Sequence, residues 1–487
     1  MVASSLQTYH VPEMRRVAHI HFVGIGGAGM CGIAEVLLNQ GYKISGSDLT
    51  VSPTIQRLKS LGATIAEFHN AELIANCDVV VVSSAIKNNN VEVVEAHVQH
   101  VPVIKRAEML GELMRYRHGI AVAGTHGKTT TTSLITAIFQ TANLDPTFVI
   151  GGLLNSAGTN AKLGASRYII VEADESDASF LHLQPMIAVL TNVDQDHMST
   201  YDNDFERLQA TFVEFIHRLP FYGLAVVCID DENIRRMLDD ISRPIVTYGL
   251  SEGADYRAVN LRVERDQAIF VAERPGALQN LEIRLSLPGK HNVLNALAAI
   301  AIASDEKVAD EAIIAGLAEF AGVDRRFEMT KNLVAQGNTY TLVDDYGHHP
   351  TEVAAVIDTV RSLWPDKRLV MAYQPHRYTR TRDLYDDFVK VLSTVDILVM
   401  FEVYSAGEVA ISGADARSLC QGVRQLGRNN PVLAGSAEEG EEILVSLIEE
   451  GDIVVVQGAG NISLLSKSLL FNKKSKNKSE EQSENEV

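Results

Sequence analysis

Two kinds of residue in this chain can handle phosphate, and they recur in a fixed order. The segment Gly124-Thr125-His126-Gly127-Lys128-Thr129-Thr130 lies between an apolar run, Gly119–Ala123, and an apolar helical pattern, Ser133–Phe139. In such a turn the backbone N–H groups cradle phosphate, Lys128 neutralises β/γ oxygens, and the Thr129 hydroxyl suits Mg²⁺. The full G-x-x-x-x-G-K-[ST] pattern would need glycine at 122, where Val122 stands, so the loop is a shortened form. Downstream, the run Tyr168–Val171 ends in Glu172-Ala173-Asp174-Glu175-Ser176-Asp177, and Ile187–Leu190 runs into Thr191-Asn192-Val193-Asp194-Gln195-Asp196-His197-Met198. Carboxylates gathered at a strand end repel unless a cation neutralises them. Mg²⁺ usually takes one or two protein ligands. Thr129 with Glu172 for one ion and His197 for a second is the division expected.

A second glycine turn, Gly24-Ile25-Gly26-Gly27-Ala28-Gly29, follows the run Val17–Val23 and fits G-x-G-x-x-G. Small residues let the backbone approach a diphosphate at a helix N-terminus. Asp48 comes about 20 residues later, where an acid would meet a ribose hydroxyl. NAD and a UDP-sugar both carry a diphosphate and a ribose, and the motif does not separate them. Further along, His291, Asn292 and Asn295 open a helical pattern, and amides so spaced can read an adenine edge. Arg325-Arg326 can place a guanidinium on a γ-phosphate. Asp344-Asp345-Tyr346-Gly347-His348-His349-Pro350 is another strand end rich in acids and histidines, and in His376–Arg382 the residues Arg377 and Arg380 are expected on one helical face, suited to carboxylate or phosphate.

Positioning these groups needs several layers. Short apolar runs alternate with helical patterns along almost all of the 487 residues, which predicts parallel α/β layers and about three domains. Residues 255–287 alternate like antiparallel strands, and Asn292–Ser304 reads as a buried Ala-rich helix. From Asn472 to Val487 the composition turns to Lys, Ser, Glu and Asn, the mark of a disordered tail. A net charge of −19 argues against nucleic acid as a partner. The four cysteines are far apart and read as buried small apolar residues in a reducing compartment. Neither a signal peptide nor a membrane span is apparent, so a cytoplasmic location without a membrane partner is expected.

Taken in order, Gly24–Gly29, Gly124–Thr130, Glu172–Phe180, Asn192–Met198, His291–Asn295, Asp344–Pro350 and His376–Arg382 resemble the Mur ligase family over residues 15–470. The resemblance implies an α/β protein of three domains: a Rossmann-like UDP-sugar domain (1–118), a central P-loop ATPase-type domain with a small antiparallel portion (119–323), and a Rossmann-like amino-acid domain (324–471), with the tail at 472–487. ATP and Mg²⁺ are the implied cofactors. The string Glu172–Pro185 is similar to the alanine-adding branch, which implies UDP-N-acetylmuramate and L-alanine as substrates, joined through an acyl phosphate. Lys128, Glu172, His197, Arg326 and His348 are the implied catalytic set. Gly124–Thr130, His291, Asn292, Asn295, Arg326, Asp345 and Tyr346 would hold the nucleotide. Gly24, Gly26, Gly27, Ala28, Asp48, Ser83, Ser84, Arg377 and Arg380 would hold the sugar nucleotide, and His348 and Arg377 the amino acid. A monomer or weak homodimer is expected. Between Lys162 and Lys290 there is no lysine, so the carbamylated lysine of some relatives is absent. A ligase attaching a ready-made tripeptide, an NAD-dependent oxidoreductase and a P-loop hydrolase are the other readings.

Overall fold

The computed structural model describes Tyr9 and residues 11–50, 52–83 and 85–470, so Ser84 and the tail over 472–487 lie outside the described residues. The chain is mixed α/β with three sheets. It divides into two compact units: the residues up to Ser286 with Asn292–Val323, and Leu287–His291 with the chain from Asp324. Among the described residues no helix is long and apolar enough to cross a membrane.

The first unit opens with a five-stranded sheet of β1 (His19–Val23), β2 (Lys43–Ser47), β3 (Thr64–Ala66), β4 (Val79–Val82) and β5 (Val103–Lys105), in the order β3-β2-β1-β4-β5. All its pairings are parallel, as expected of strands buried on both faces. The strand order reverses between β1 and β4, which puts a crevice at their C-terminal ends, beyond Val23 and Val82. β1 also buries polar groups. Glu92, 0 % exposed, accepts from His21 Nε2 (2.8 Å), Ser47 Oγ (2.8 Å) and His69 Nδ1 (2.9 Å), which supplies the partners that a buried carboxylate requires.

The same unit holds a ten-stranded sheet. Its strands are β6 (His118–Ala123), β7 (Thr147–Leu154), β8 (Thr159–Lys162), β9 (Tyr168–Glu172), β10 (Ile187–Leu190), β11 (Leu224–Cys228), β12 (Ile245–Gly249), β13 (Tyr256–Glu264), β14 (Gln267–Glu273) and β15 (Leu281–Leu285). The order is β15-β14-β13-β12-β11-β10-β6-β9-β7-β8, antiparallel only at β13-β14-β15 and at β7-β8. β6 therefore lies between β9 and β10, and the three chemistry-bearing strand ends come side by side. The helix Lys128–Thr141 that follows β6 is rich in Thr, a residue that favours strands. Three of its buried hydroxyls are satisfied within the helix: Thr132, Ser133 and Thr136 donate to the carbonyls four residues back at 2.7–2.8 Å. Packing, not propensity, holds this helix.

The second unit has six strands, β16 (Glu328–Ala335), β17 (Asn338–Asp345), β18 (Leu369–Tyr373), β19 (Ile397–Phe401), β20 (Val432–Ala434) and β21 (Ile453–Gln457). They run β16-β17-β21-β18-β19-β20, parallel except for the edge strand β16. Two apolar clusters, one around Val343, Met371 and Val455 and the other around Leu342, Val370 and Val454, cover its faces. All four cysteines are free and buried, as the composition predicts.

Candidate active site

The loop after β6 is clasped by the end of β10. The Asn192 side chain accepts from His126 N–H (2.8 Å) and donates to the His126 carbonyl (3.0 Å), to which Thr191 Oγ1 also donates (2.6 Å). Asp194 N–H donates to Thr125 Oγ1 at 2.9 Å, and the His126 ring lies 3.3 Å from Asp194 Oδ2. Gly127 caps the helix at φ +83°, and a Cβ there would fall 2.6 Å from Asn295 Oδ1, so glycine is required. Thr131 N–H makes the first intrahelical bond, to Gly127 O, leaving the amides of 128–130 at the positive end of the helix. Thr130 is buried on that first turn. Asn292 and Asn295 do share a face. They are buried, bonded to each other at 3.3 Å, and Asn295 Oδ1 accepts from Thr131 Oγ1, so the pair braces the loop.

Lys128 folds back on this loop, donating to Gly124 O (2.6 Å), Thr125 O (3.0 Å) and Glu175 Oε1 (2.9 Å). Burial disfavours its charge, but Glu175, Asp174 and Glu172 together raise its pKa. Motif reasoning left Glu175, the partner of Lys128, unassigned. Burial pushes its carboxyl up to about 7, against the pull of Lys128, and among the described residues its Oε2 has no hydrogen-bond partner. From about 4.5 to about 7 the folded protein therefore holds a proton that the unfolded chain has released. This group's contribution to stability is complete below about 4.5 and lost as the pH rises through about 7. Glu175→Gln is expected to flatten the stability–pH curve across that window in thermal melts. A curve superimposable on wild type would remove Glu175 as the source.

At the first turn of the helix the Thr129 hydroxyl donates to Glu172 Oε1 at 2.6 Å, while the Gly151 N–H holds Glu172 Oε2. A hydroxyl and a carboxylate side by side at a phosphate loop are the hard oxygen donors that Mg²⁺ takes. His197 starts the next segment at φ +54°, with its ring 3.6 Å from Asp196. Thr200 Oγ1 donates to Ser176 O (2.6 Å) and Tyr201 OH to Glu175 O (2.5 Å), so both acid segments are laced together.

In the first sheet, Gly24 N–H and Ile25 N–H donate to Ser47 O, and Asp48 Oδ2 accepts from Gly26 N–H at 2.8 Å. Asp48 thus braces the turn. Gly27 caps the helix Ala28–Asn39, and the Ser83 hydroxyl faces Gly24.

The second unit gathers the remaining candidates. Arg325 and Arg326 lie over the Tyr346 ring, at 5.5 and 5.1 Å from its centroid. Burial pushes Asp345 up to about 6 against Arg326, and its carboxylate accepts from Phe327 N–H (2.9 Å), Gly347 N–H (2.7 Å) and Gln457 Nε2 (3.0 Å). Glu352, also unassigned from sequence, accepts from the N–H groups of His348 (2.8 Å) and His349 (3.1 Å). Its place three residues after the helix cap His349 is the capping-box spacing that could have revealed it. The His348 and His376 rings stand 5.3 Å apart. Desolvation lowers His291 to about 4, against an opposing rise from Glu352, so its imidazole is neutral. The shared helical face expected for Arg377 and Arg380 does not form. Arg377 caps the helix Tyr378–Asp383 at φ +71° and pairs with Glu408 at 3.3 Å, whereas Arg380 is buried against His376 at 3.2 Å.

A lysine-bearing phosphate loop with a hydroxyl–carboxylate pair beside it is the equipment of an ATP-using enzyme, and a glycine turn stands on a separate parallel sheet. Three consecutive family models match the chain: the Mur ligase family catalytic domain over residues 19–118, the Mur ligase middle domain over 122–303, and the Mur ligase glutamate ligase domain over 325–460. The chain belongs to the Mur ligase family and is an ATP-dependent amide-forming ligase of peptidoglycan synthesis. It is similar to the UDP-N-acetylmuramate–alanine ligase of Thermotoga maritima, at 28 % identity and TM-score 0.79 over 94 % of this chain and 99 % of that one. It is also similar to a UDP-N-acetylmuramate:L-alanyl-γ-D-glutamyl-meso-diaminopimelate ligase of Neisseria, at 29 % identity and TM-score 0.58 over 63 % of this chain and 100 % of that one. A murein peptide ligase of Psychrobacter arcticus shares the fold at 24 % identity and TM-score 0.68, over 93 % of this chain and 98 % of that one.

Proposed function

We propose that this ligase joins L-alanine to the lactyl carboxylate of UDP-N-acetylmuramate, giving UDP-N-acetylmuramoyl-L-alanine, ADP and phosphate, in the cytoplasm. The likeness to the Thermotoga alanine ligase along almost the whole of both chains carries this reading. In the first step a lactyl carboxylate oxygen attacks the γ-phosphorus and ADP leaves. In the second, the alanine amine attacks the acyl carbon, phosphate leaves and the amine gives up a proton. Phosphoryl transfer depends mainly on positioning and charge. Lys128 and the amides at the start of its helix would hold the β/γ oxygens. Thr129 and Glu172 would hold one Mg²⁺ and His197 a second, which neutralise phosphate charge when bound. Without a carbamylated lysine, a carboxylate or water completes that second site. Arg326, His291, Asn292, Asn295, Asp345 and Tyr346 are assigned to the nucleotide, His348 and Arg377 to alanine, and Arg377 with Arg380 to the sugar acid. The division into domains at 1–118, 119–323 and 324–471 belongs to the same reading.

A second reading, transfer of a preformed tripeptide to the same sugar nucleotide, is favoured by one observation: the Neisseria ligase is as similar in identity as the Thermotoga one. Supplying ATP, Mg²⁺ and UDP-N-acetylmuramate with L-alanine and the tripeptide in competition, and weighing the product, separates them. The alanine adduct should dominate. A tripeptide adduct alone would replace the proposal with the second reading.

A further inference from the structure

The Gly24–Gly29 turn has no cationic side chain of its own, and Asp48 places a carboxylate 2.8 Å from the Gly26 nitrogen. A diphosphate there needs a positive partner from elsewhere in the fold. Arg106 comes to it from 77 positions beyond Gly29. A Cβ on Gly29 would fall 2.7 Å from Arg106 Nη1 and 3.1 Å from its Cδ, so the last glycine of the turn leaves the space that the guanidinium fills. The other side of that guanidinium is fixed to the ATP-binding sheet: Nη2 donates to Asp174 Oδ2 at 3.0 Å, and Asp174 Oδ1 is itself held by Ser176 N–H at 3.1 Å. The backbone of Arg106 is equally constrained. It begins the helix Arg106–Met114, whose Gly111 packs so tightly on the turn Ser179–His182 that a Cβ would lie 2.6 Å from His182 O.

We propose that Arg106 is a sugar-nucleotide-binding residue, a guanidinium held by Asp174 beside the Gly24–Gly29 turn to grip the diphosphate and set its distance from the phosphate loop. Arginine suits this double task because one planar fork can serve a carboxylate and a phosphate at once. The inference rests on the sugar-nucleotide reading of the turn given above.

The test is calorimetric titration of the full chain with UDP-N-acetylmuramate, with UDP, and with ADP as the control ligand. Arg106→Ala should weaken UDP-N-acetylmuramate and UDP by about tenfold or more, the scale of one charge-assisted contact, and leave ADP within about twofold. Arg106→Lys, which keeps the charge but not the fork, should recover only part of the loss and also covers the case in which the alanine variant fails to fold. Unchanged UDP-N-acetylmuramate affinity in either folded variant would overturn the proposal. If wild type binds ADP but neither uridine ligand, the sugar-nucleotide reading itself fails, and that outcome is distinct.

Discussion

Lys128→Met is expected to lower kcat by about a thousandfold, the scale seen when a cation that stabilises transferring phosphoryl charge is lost. The side chain spends its three protons on Gly124 O, Thr125 O and Glu175 Oε1, so its ammonium sits at the centre of the loop. Methionine keeps the length and removes the charge. It also leaves Glu175, already raised to about 7, without its cation, and that carboxyl will take up a proton at neutral pH. Any stability loss can be separated from the chemistry in a second variant. Lys128→Met with Glu175→Gln replaces both halves of the buried pair and should recover the melting temperature, since replacing a whole pair is often neutral whereas breaking one is costly. The loss of turnover should remain. Wild-type kcat in a folded Lys128→Met chain would remove the loop from the mechanism.

Glu172→Ala should have the next largest effect, a fall in kcat of about a hundredfold together with a raised Mg²⁺ requirement. The carboxylate receives the Thr129 hydroxyl on one oxygen and the Gly151 N–H on the other, so its position is fixed from both the helix after the loop and β7. His197→Ala, with its ring beside Asp196, should raise the Mg²⁺ requirement about tenfold with a smaller loss of rate. The measurement is initial rate against free Mg²⁺ for each variant. Magnesium curves that overlay wild type would strike both residues from the ligand set.

Much of this site was legible because each part is local. The phosphate loop is a strand, a glycine turn and a helix in continuous sequence, and the run Ile187–Leu190 matches β10 residue for residue. What was not legible depends on contacts far apart in the chain. Glu175 looks like one more acid in a string of four until the fold lays it on Lys128, 47 positions earlier, and Arg106 meets Asp174 across 68. The edge strands were hidden for a different reason. β3 and β20 have three residues each, β8 reads Thr-Asn-Ala-Lys, and β16 is half polar and breaks register at Asn332, φ +57°. None of these gives the apolar run of a central parallel strand. Arg377 misled through its backbone: spacing alone puts it on a helical face with Arg380, but its positive φ stops the helix one residue short.

The most direct test of the central claim is phosphate release from ATP and Mg²⁺ with one substrate omitted at a time. Sustained release should need both UDP-N-acetylmuramate and L-alanine. Release that proceeds without the sugar nucleotide, or that never responds to L-alanine, would contradict the account.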